Sequence, residues 1–174
     1  MTVPSSRRLV VLRHAKAAWP DVADHDRPLA ERGRRDAPAA GRWLRDADYL
    51  PDLVVCSTAR RTRETWELAA RELGGTAPVV YEPRLYEATV PVLLDVVRET
   101  PATCGTLLLI GHNPAVQQLT VRLAATADGN LLELAAAKFA TSAVAVLTWG
   151  GTWAQLAAGT ARLTAFAVPR GAGP

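Results

Sequence analysis

Arg8-Leu9-Val10-Val11-Leu12-Arg13-His14 is an apolar run closed at both ends by arginine and followed at once by a histidine. A stretch this short, β-branched at its centre and bounded by charge, reads as a buried strand whose polar tip emerges at Arg13 and His14. Working outward, the same alternation recurs. After a loop with Pro20 and several acids, Pro28 to Asp46 carries Leu29, Ala37, Ala40, Trp43 and Leu44 at mixed three- and four-residue spacing, which predicts an amphipathic helix for one sheet face. Pro51 to Cys56 repeats the strand pattern, and Thr58 to Leu73 is again helical, stopped by Gly74-Gly75. Pro78 to Tyr81 is a third strand and Val90 to Thr100 a third helix, joined only by Glu82 to Thr89. Thr106 to Ile110 is the most apolar strand, and Gly111-His112-Asn113-Pro114 leads into a helix from Ala115 to about Ala125. Phe139 to Trp149 and Thr152 to Leu156 read as a hairpin around Gly150-Gly151, with one more strand at Leu163 to Val168.

Strands alternating with helices predict an α/β fold: a mainly parallel sheet with helices on both faces, a three-layer sandwich, and an antiparallel strand late in the chain. The 174 residues fit a single domain, 1–174, with an ordered core of about 7–169 and frayed ends at Met1 to Ser6 and Gly171 to Pro174. Hydrophobic residues make up 49% and charged residues 21%, which supports a folded globular chain and argues against a disordered one.

The net charge of +3 comes from 18 Arg and 2 Lys against 17 acids, and Arg60, Arg61 and Arg63 are followed directly by Glu64 and Glu67. That interleaving lacks the one-sided basic face of a nucleic-acid binder, and none is expected as a partner. Arginine is also the better clamp for an oxyanion, because its planar fork suits phosphate or carboxylate. Cys56 and Cys104 are expected to be buried free thiols, which makes a cytoplasmic location the default. The apolar stretch Leu131 to Trp149 is interrupted by Glu133 and Lys138, so no membrane segment is expected.

Polar groups stand at or just past the ends of three predicted strands: Arg13-His14, then Ser57 and Arg61, then His112. A parallel sheet gathers such ends into one crevice, outside the carboxyl edge where ligands bind. Two histidines and two arginines there form a site for an anion, with phosphate the best guess and either histidine a possible nucleophile. Arginine forks and imidazole can neutralise a phosphoryl group without metal. With no Walker loop, no H-E-x-x-H and three histidines in all, counting His25, no metal and no cofactor are expected.

Leu12-Arg13-His14-Ala15 resembles the signature of the histidine phosphatase superfamily, the phosphoglycerate mutase-like fold, whose usual form is Arg-His-Gly; alanine replaces the glycine here. Cys56-Ser57-Thr58-Ala59-Arg60-Arg61-Thr62-Arg63-Glu64-Thr65 resembles the family's S-x-x-x-R-A-x-x-T, and Ile110-Gly111-His112-Asn113-Pro114 its G-H segment. Within the superfamily the chain is most similar to SixA-type phosphohistidine phosphatases, through Asp26-Arg27-Pro28-Leu29-Ala30-Glu31-Arg32-Gly33 and the strand entry Phe139-Ala-Thr-Ser-Ala143. The resemblance implies a minimal form without a lid insertion. It implies that His14 is the nucleophile, and that Arg13, Arg61 and His112 bind the phosphoryl oxygens, His112 as a cation, with Ser57 a weaker phosphate contact. A helical first turn lets only one of Arg60 and Arg61 face the crevice, and the motif selects Arg61. Glu87 lies where phosphomonoesterases of the superfamily carry a general acid, whereas SixA-type proteins often lack one, and the sequence leaves both readings open.

Three functions compete. The first is a metal-independent SixA-type phosphatase acting on phosphohistidine in a phosphorylated protein. The second is a phosphomonoesterase acting on a small sugar or nucleotide phosphate, which Glu87 favours. The third is a non-catalytic phosphate-binding module. Among the remaining polar residues, Arg60, Arg63 and Arg34-Arg35 read as solvated faces paired with acids. Asp26 is expected to pair with Arg27 or another arginine, and His25 to be an exposed loop residue. Lys16 is a possible rim contact, and Trp19 a possible wall of the crevice.

Overall fold

A computed structural model describes residues 3–75 and 77–173. Seven strands form one sheet: β1 (Arg7–Arg13), β2 (Leu53–Ser57), β3 (Val79–Glu82), β4 (Thr106–Gly111), β5 (Ala124–Ala127), β6 (Val144–Trp149) and β7 (Ala161–Ala167), in the order β3-β2-β4-β1-β6-β7-β5. All neighbours pair in parallel except at β6, which runs antiparallel to both β1 and β7. The expected late antiparallel strand is therefore β6. The helices are α1 (Glu31–Asp46), α2 (Arg60–Ala70), α3 (Val90–Arg98), α4 (Ala115–Leu123) and α5 (Leu131–Ala137). Among the described residues no helix is long and apolar enough to cross a membrane.

The continuous apolar runs of β1 and β4 follow from burial on both faces. Leu9, Val11, Leu107 and Leu109 point into a core with Leu93, Val97, Val116 and Leu119 from α3 and α4. Val10, Leu12, Leu108 and Ile110 point the other way, into a core with Ala40 and Leu44 of α1 and Trp66 of α2. That period of two fixes register: Leu12 pairs with Ile110 and Arg13 with Gly111, so the polar tips of both strands finish side by side.

Several elements differ from the expectation. Helix α1 starts at Glu31 because Ala18 N–H donates to Pro28 O and Ala30 N–H to Lys16 O, binding residues 28–30 to the loop after His14. Helix α4 stops at Leu123, and Ala124–Ala127 becomes an edge strand beside β7, where sheet pairing overrides alanine's helix preference. Strand β6 begins at Val144, five residues late, because residues 139–143 turn to bring Ser142 N–H to the carbonyls of Arg13 and His14. Thr152–Leu156 is not a strand and Gly150-Gly151 closes no hairpin. A single 3-10 turn at Trp153–Gln155 buries Trp153, whose indole N–H donates to Cys104 O at 2.8 Å, and β6 pairs instead with β7. The C-terminal end is tied down further than expected, with Gly171 N–H donating to the Asp36 carboxylate at 3.0 Å. Cys56 and Cys104 are free and buried.

Candidate active site

The carboxyl ends of β1, β2 and β4 open onto a crevice of about 270 Å³ lined by Arg13, His14, Lys16, Trp19, Arg27, Arg61, His112, Asn113 and Thr141. His14 follows the last residue of β1 and is 8% exposed. Its Nδ1 lies 2.7 Å from the carbonyl oxygen of Ala15. A carbonyl only accepts, so Nδ1 carries the proton and Nε2 keeps its lone pair. The Ala15 N–H in turn donates to Thr65 Oγ1 at 3.0 Å, and Thr65 Oγ1 donates to Arg61 O at 2.7 Å, tying the loop after β1 to α2. Burial pushes the His14 pKa down to about 3; the Ala15 bond opposes this, and the charges of His112, Arg61 and Arg13 add to it.

His112 follows β4, its ring centroid 5.3 Å from that of His14. Its Nε2 shares a 2.7 Å hydrogen bond with Ser57 Oγ at the end of β2, while its Nδ1 is buried with no partner among the described residues. Burial, followed by the charge of Arg61, pushes its pKa down to about 4. The free site thus favours neutral His112, where a cation was expected, because burial first, and then the charges of Arg61 and Arg13, oppose a proton on its ring. Ser57 reaches the site through His112 and does not itself line the crevice.

Arg13 Nη1 donates to Phe139 O at 3.0 Å, leaving its Nε buried and unpartnered among the described residues. Arg61 lies in the first turn of α2 and is 7% exposed, while Arg60 faces solvent toward Glu64 at 3.5 Å, so one of the neighbouring pair enters the crevice. Arg61 Nη1 donates to Asp24 O at 2.8 Å and Nη2 to Asp24 Oδ2 at 3.1 Å.

Asp24, Arg27 and Tyr86 are site residues that the sequence did not single out as such. Arg27 lines the crevice and pairs with Asp24 at 3.0 Å, in place of the expected Asp26. Asp26 faces His25 Nδ1 at 3.9 Å. Asp24 also accepts from Tyr86 O–H at 2.5 Å, and these bonds hold its carboxyl well below the usual carboxylate range. Tyr86 stacks edge-on against both His25 and His112. His25 is half-buried, with Nε2 2.9 Å from Thr58 Oγ1, and is no free loop residue. Arg34 pairs with Glu64 as expected, whereas Arg63 Nε donates to Thr58 O. The only signal for Asp24 in the sequence is its place three residues before Arg27, which carries no chemistry until the loop is folded.

Glu87 stands outside the crevice lining, exposed, with a backbone φ of 57°. Among the described residues no group of three or more His, Cys, Asp or Glu is placed to hold a metal ion.

Residues 9–100 match the model of the histidine phosphatase superfamily (branch 1). An uncharacterized protein of Mycobacterium tuberculosis, Rv1276c, is 43% identical over 162 residues, covering 91% of this chain and 100% of the relative. Among solved structures, a candidate phosphohistidine phosphatase SixA from Nakamurella multipartitia is 36% identical with a TM-score of 0.84, covering 97% of this chain and 99% of that one. Its counterpart from Agrobacterium tumefaciens is 32% identical with a TM-score of 0.77, covering 94% and 98%. Both span this chain almost end to end, in keeping with the short connection between β3 and α3 and the absence of a lid insertion. On the family model, the fold and this agreement in length, the chain belongs to the histidine phosphatase superfamily and resembles its SixA-type members.

Proposed function

We propose that the protein is a phosphohistidine phosphatase that works through a phosphorylated His14. The observation that carries this reading is the His14 ring, with Nδ1–H held on Ala15 O and a bare Nε2 in a crevice lined by Arg13, Arg27 and Arg61. In the first step the Nε2 lone pair forms a bond to phosphorus as the P–N bond to the substrate imidazole breaks; the departing imidazole keeps that electron pair and takes its proton from solvent. In the second step water adds to phosphorus, the bond to His14 Nε2 breaks, and inorganic phosphate leaves. The guanidinium groups neutralise charge on the equatorial oxygens, a task that needs positioning more than covalent chemistry. The incoming phosphoryl charge favours protonation of His112, so that it gains its positive charge as substrate binds.

Among the described residues no carboxylic acid lines the crevice, and an imidazole leaving group needs less proton donation than an alkoxide. Glu87 bears on the second reading, small-molecule ester hydrolysis: its left-handed backbone beside Tyr86 is the kind of strain that clusters at functional sites. Under the favoured reading Glu87→Gln spares phosphohistidine hydrolysis and reduces only ester hydrolysis. The test is phosphate release from a phosphohistidine-bearing protein in excess EDTA. Wild type is expected to release phosphate, and His14→Ala to lose about 10³-fold or more in kcat. Release that survives His14→Ala, or none from wild type, rejects the reading.

A further inference from the structure

Trp19 lies five residues past His14 and is 78% exposed, the most exposed large apolar side chain among the described residues. It is nevertheless held. The Arg27 guanidinium lies over its ring, 3.3 Å from the centroid, and that guanidinium is fixed by Nε donating to Ala18 O and Nη1 donating to Asp24 Oδ1, each at 3.0 Å. One face of the indole is thus packed on a residue of the crevice floor, and the rest is offered to solvent at the crevice mouth. An aromatic fixed before binding supplies contact area at little cost in side-chain entropy, the property that makes tryptophan a frequent anchor of protein interfaces.

The surroundings narrow the occupant. His14 is 8% exposed at the crevice floor, so a ring on the rim reaches only what extends beyond the phosphoryl group. Exposed Lys16 shares the crevice wall, and Arg32, with a side chain half open to solvent, donates to rim residue Thr141 at 3.2 Å. Asp24, the acid that contacts the crevice arginines, already accepts from Arg27, Arg61 and Tyr86. The rim therefore combines one rigid aromatic with the exposed ammonium of Lys16 and with Arg32, which shares the single buried carboxylate of Asp36 with Arg170.

We propose that Trp19, flanked by Lys16 and Arg32, is the docking platform for the phosphorylated protein, seating an apolar surface beside the phosphohistidine with acidic side chains around it. The proposal rests on the phosphohistidine reading and assigns the part of the partner that lies outside the phosphoryl pocket. Trp19 touches no reacting atom; it determines which phosphohistidine is engaged.

Two substrates separate this role from a merely structural one: a phosphorylated histidine phosphotransfer domain, and phosphoramidate, which offers the same P–N bond with nothing beyond it. Trp19→Ala is expected to raise KM for the phosphoprotein about tenfold, the equivalent of ~1.4 kcal/mol, with kcat within about twofold. Its kcat/KM for phosphoramidate should move by less than about threefold, and Trp19→Phe should recover most of the phosphoprotein KM. An equal loss on both substrates would overturn the proposal, leaving Trp19 as a brace for Arg27, and so would an unchanged phosphoprotein KM. Wild type that hydrolyses phosphoramidate but not the phosphoprotein would instead reject the protein substrate, and the docking role with it; wild type that hydrolyses neither would reject the phosphatase reading itself.

Discussion

A hydrogen bond between neighbouring residues, His14 Nδ1–H to Ala15 O, decides which ring nitrogen keeps a lone pair, and burial decides that the ring is neutral. The same burial has a cost in stability. His14 and His112 stay unprotonated in the fold down to about pH 3 and about 4, whereas in the unfolded chain each takes a proton below its ordinary value of 6.5. As pH falls from 6.5 toward 4 the unfolded state gains protons that the folded state refuses, so stability falls across that window and is unaffected above it. Asp24, Glu82 and Glu99 have the opposite sign: each is held below its ordinary carboxylate value, and the stability each adds is lost only as pH drops through and below 3.8 to 4.5. Thermal melts at pH 4.5 and 7.5 should therefore show a smaller acid loss for His14→Gln than for wild type, and equal losses would refute the burial argument. At this scale the sequence exposed Arg13, His14, Arg61 and His112, because each follows a strand whose apolar run marks its end. Asp24, Arg27 and Tyr86 were not legible as site residues. They sit on loops whose path is set by contacts between segments far apart in sequence, such as Tyr86 O–H to Asp24 across 62 positions.

At the scale of elements, the alternation of strand and helix through α4 could be read from hydrophobic periodicity, since β1 and β4 are buried on both faces, the edge strand β3 is short and β-branched, and the helices are buried on one face. The late part could not. Ala124–Ala127 and residues 139–143 have compositions that suit several conformations, and their state is chosen by the sheet edge and by the carbonyls of Arg13 and His14. Two glycines of α1 carry a close approach that no periodicity signals. A Cβ on Gly41 would lie 2.3 Å from Ala69 O of α2, and one on Gly33 would lie 2.2 Å from Lys16 O, two residues past His14. Backbone cannot yield as a flexible side chain does, so both alanine substitutions must move an element. Gly41→Ala is expected to cost about 1–3 kcal/mol in urea denaturation by separating α1 from α2, with kcat little changed for the molecules that remain folded. Gly33→Ala should shift the loop that holds His14 and lower kcat more than its loss of stability explains. Equal effects of the two on kcat would mean that the loop moves independently of α1.

For the molecule as a whole, placing β1 at the centre of the sheet leaves its tip at Arg13 and His14 dependent on support from the late part of the chain. The turn at 139–143 holds the carbonyls of Arg13 and His14, and the C-terminal segment holds that turn: Arg170 Nη1 donates to Thr141 O at 2.9 Å and to Asp36 Oδ2 at 3.1 Å. Gly171 lies flush on α1, where a Cβ would meet Arg35 O at 2.2 Å, and its N–H donates to the other oxygen of Asp36. Asp36 is 1% exposed, and without this segment its closest remaining cation is Arg32, at 3.5 Å. A buried carboxylate stripped of two donors loses more than the bonds themselves, because its desolvation is no longer offset. Truncation after Val168 is therefore expected to cost ~1–3 kcal/mol in urea denaturation. The cause can be isolated in a cycle. Asp36→Leu should destabilise the full-length chain, where it leaves the Gly171 N–H and Arg170 without their acceptor, yet recover part of the loss in the truncated chain, where it removes the stranded charge. If the leucine substitution has the same effect in both backgrounds, Asp36 and the C-terminal segment are energetically independent, and the turn beside His14 is held by other contacts.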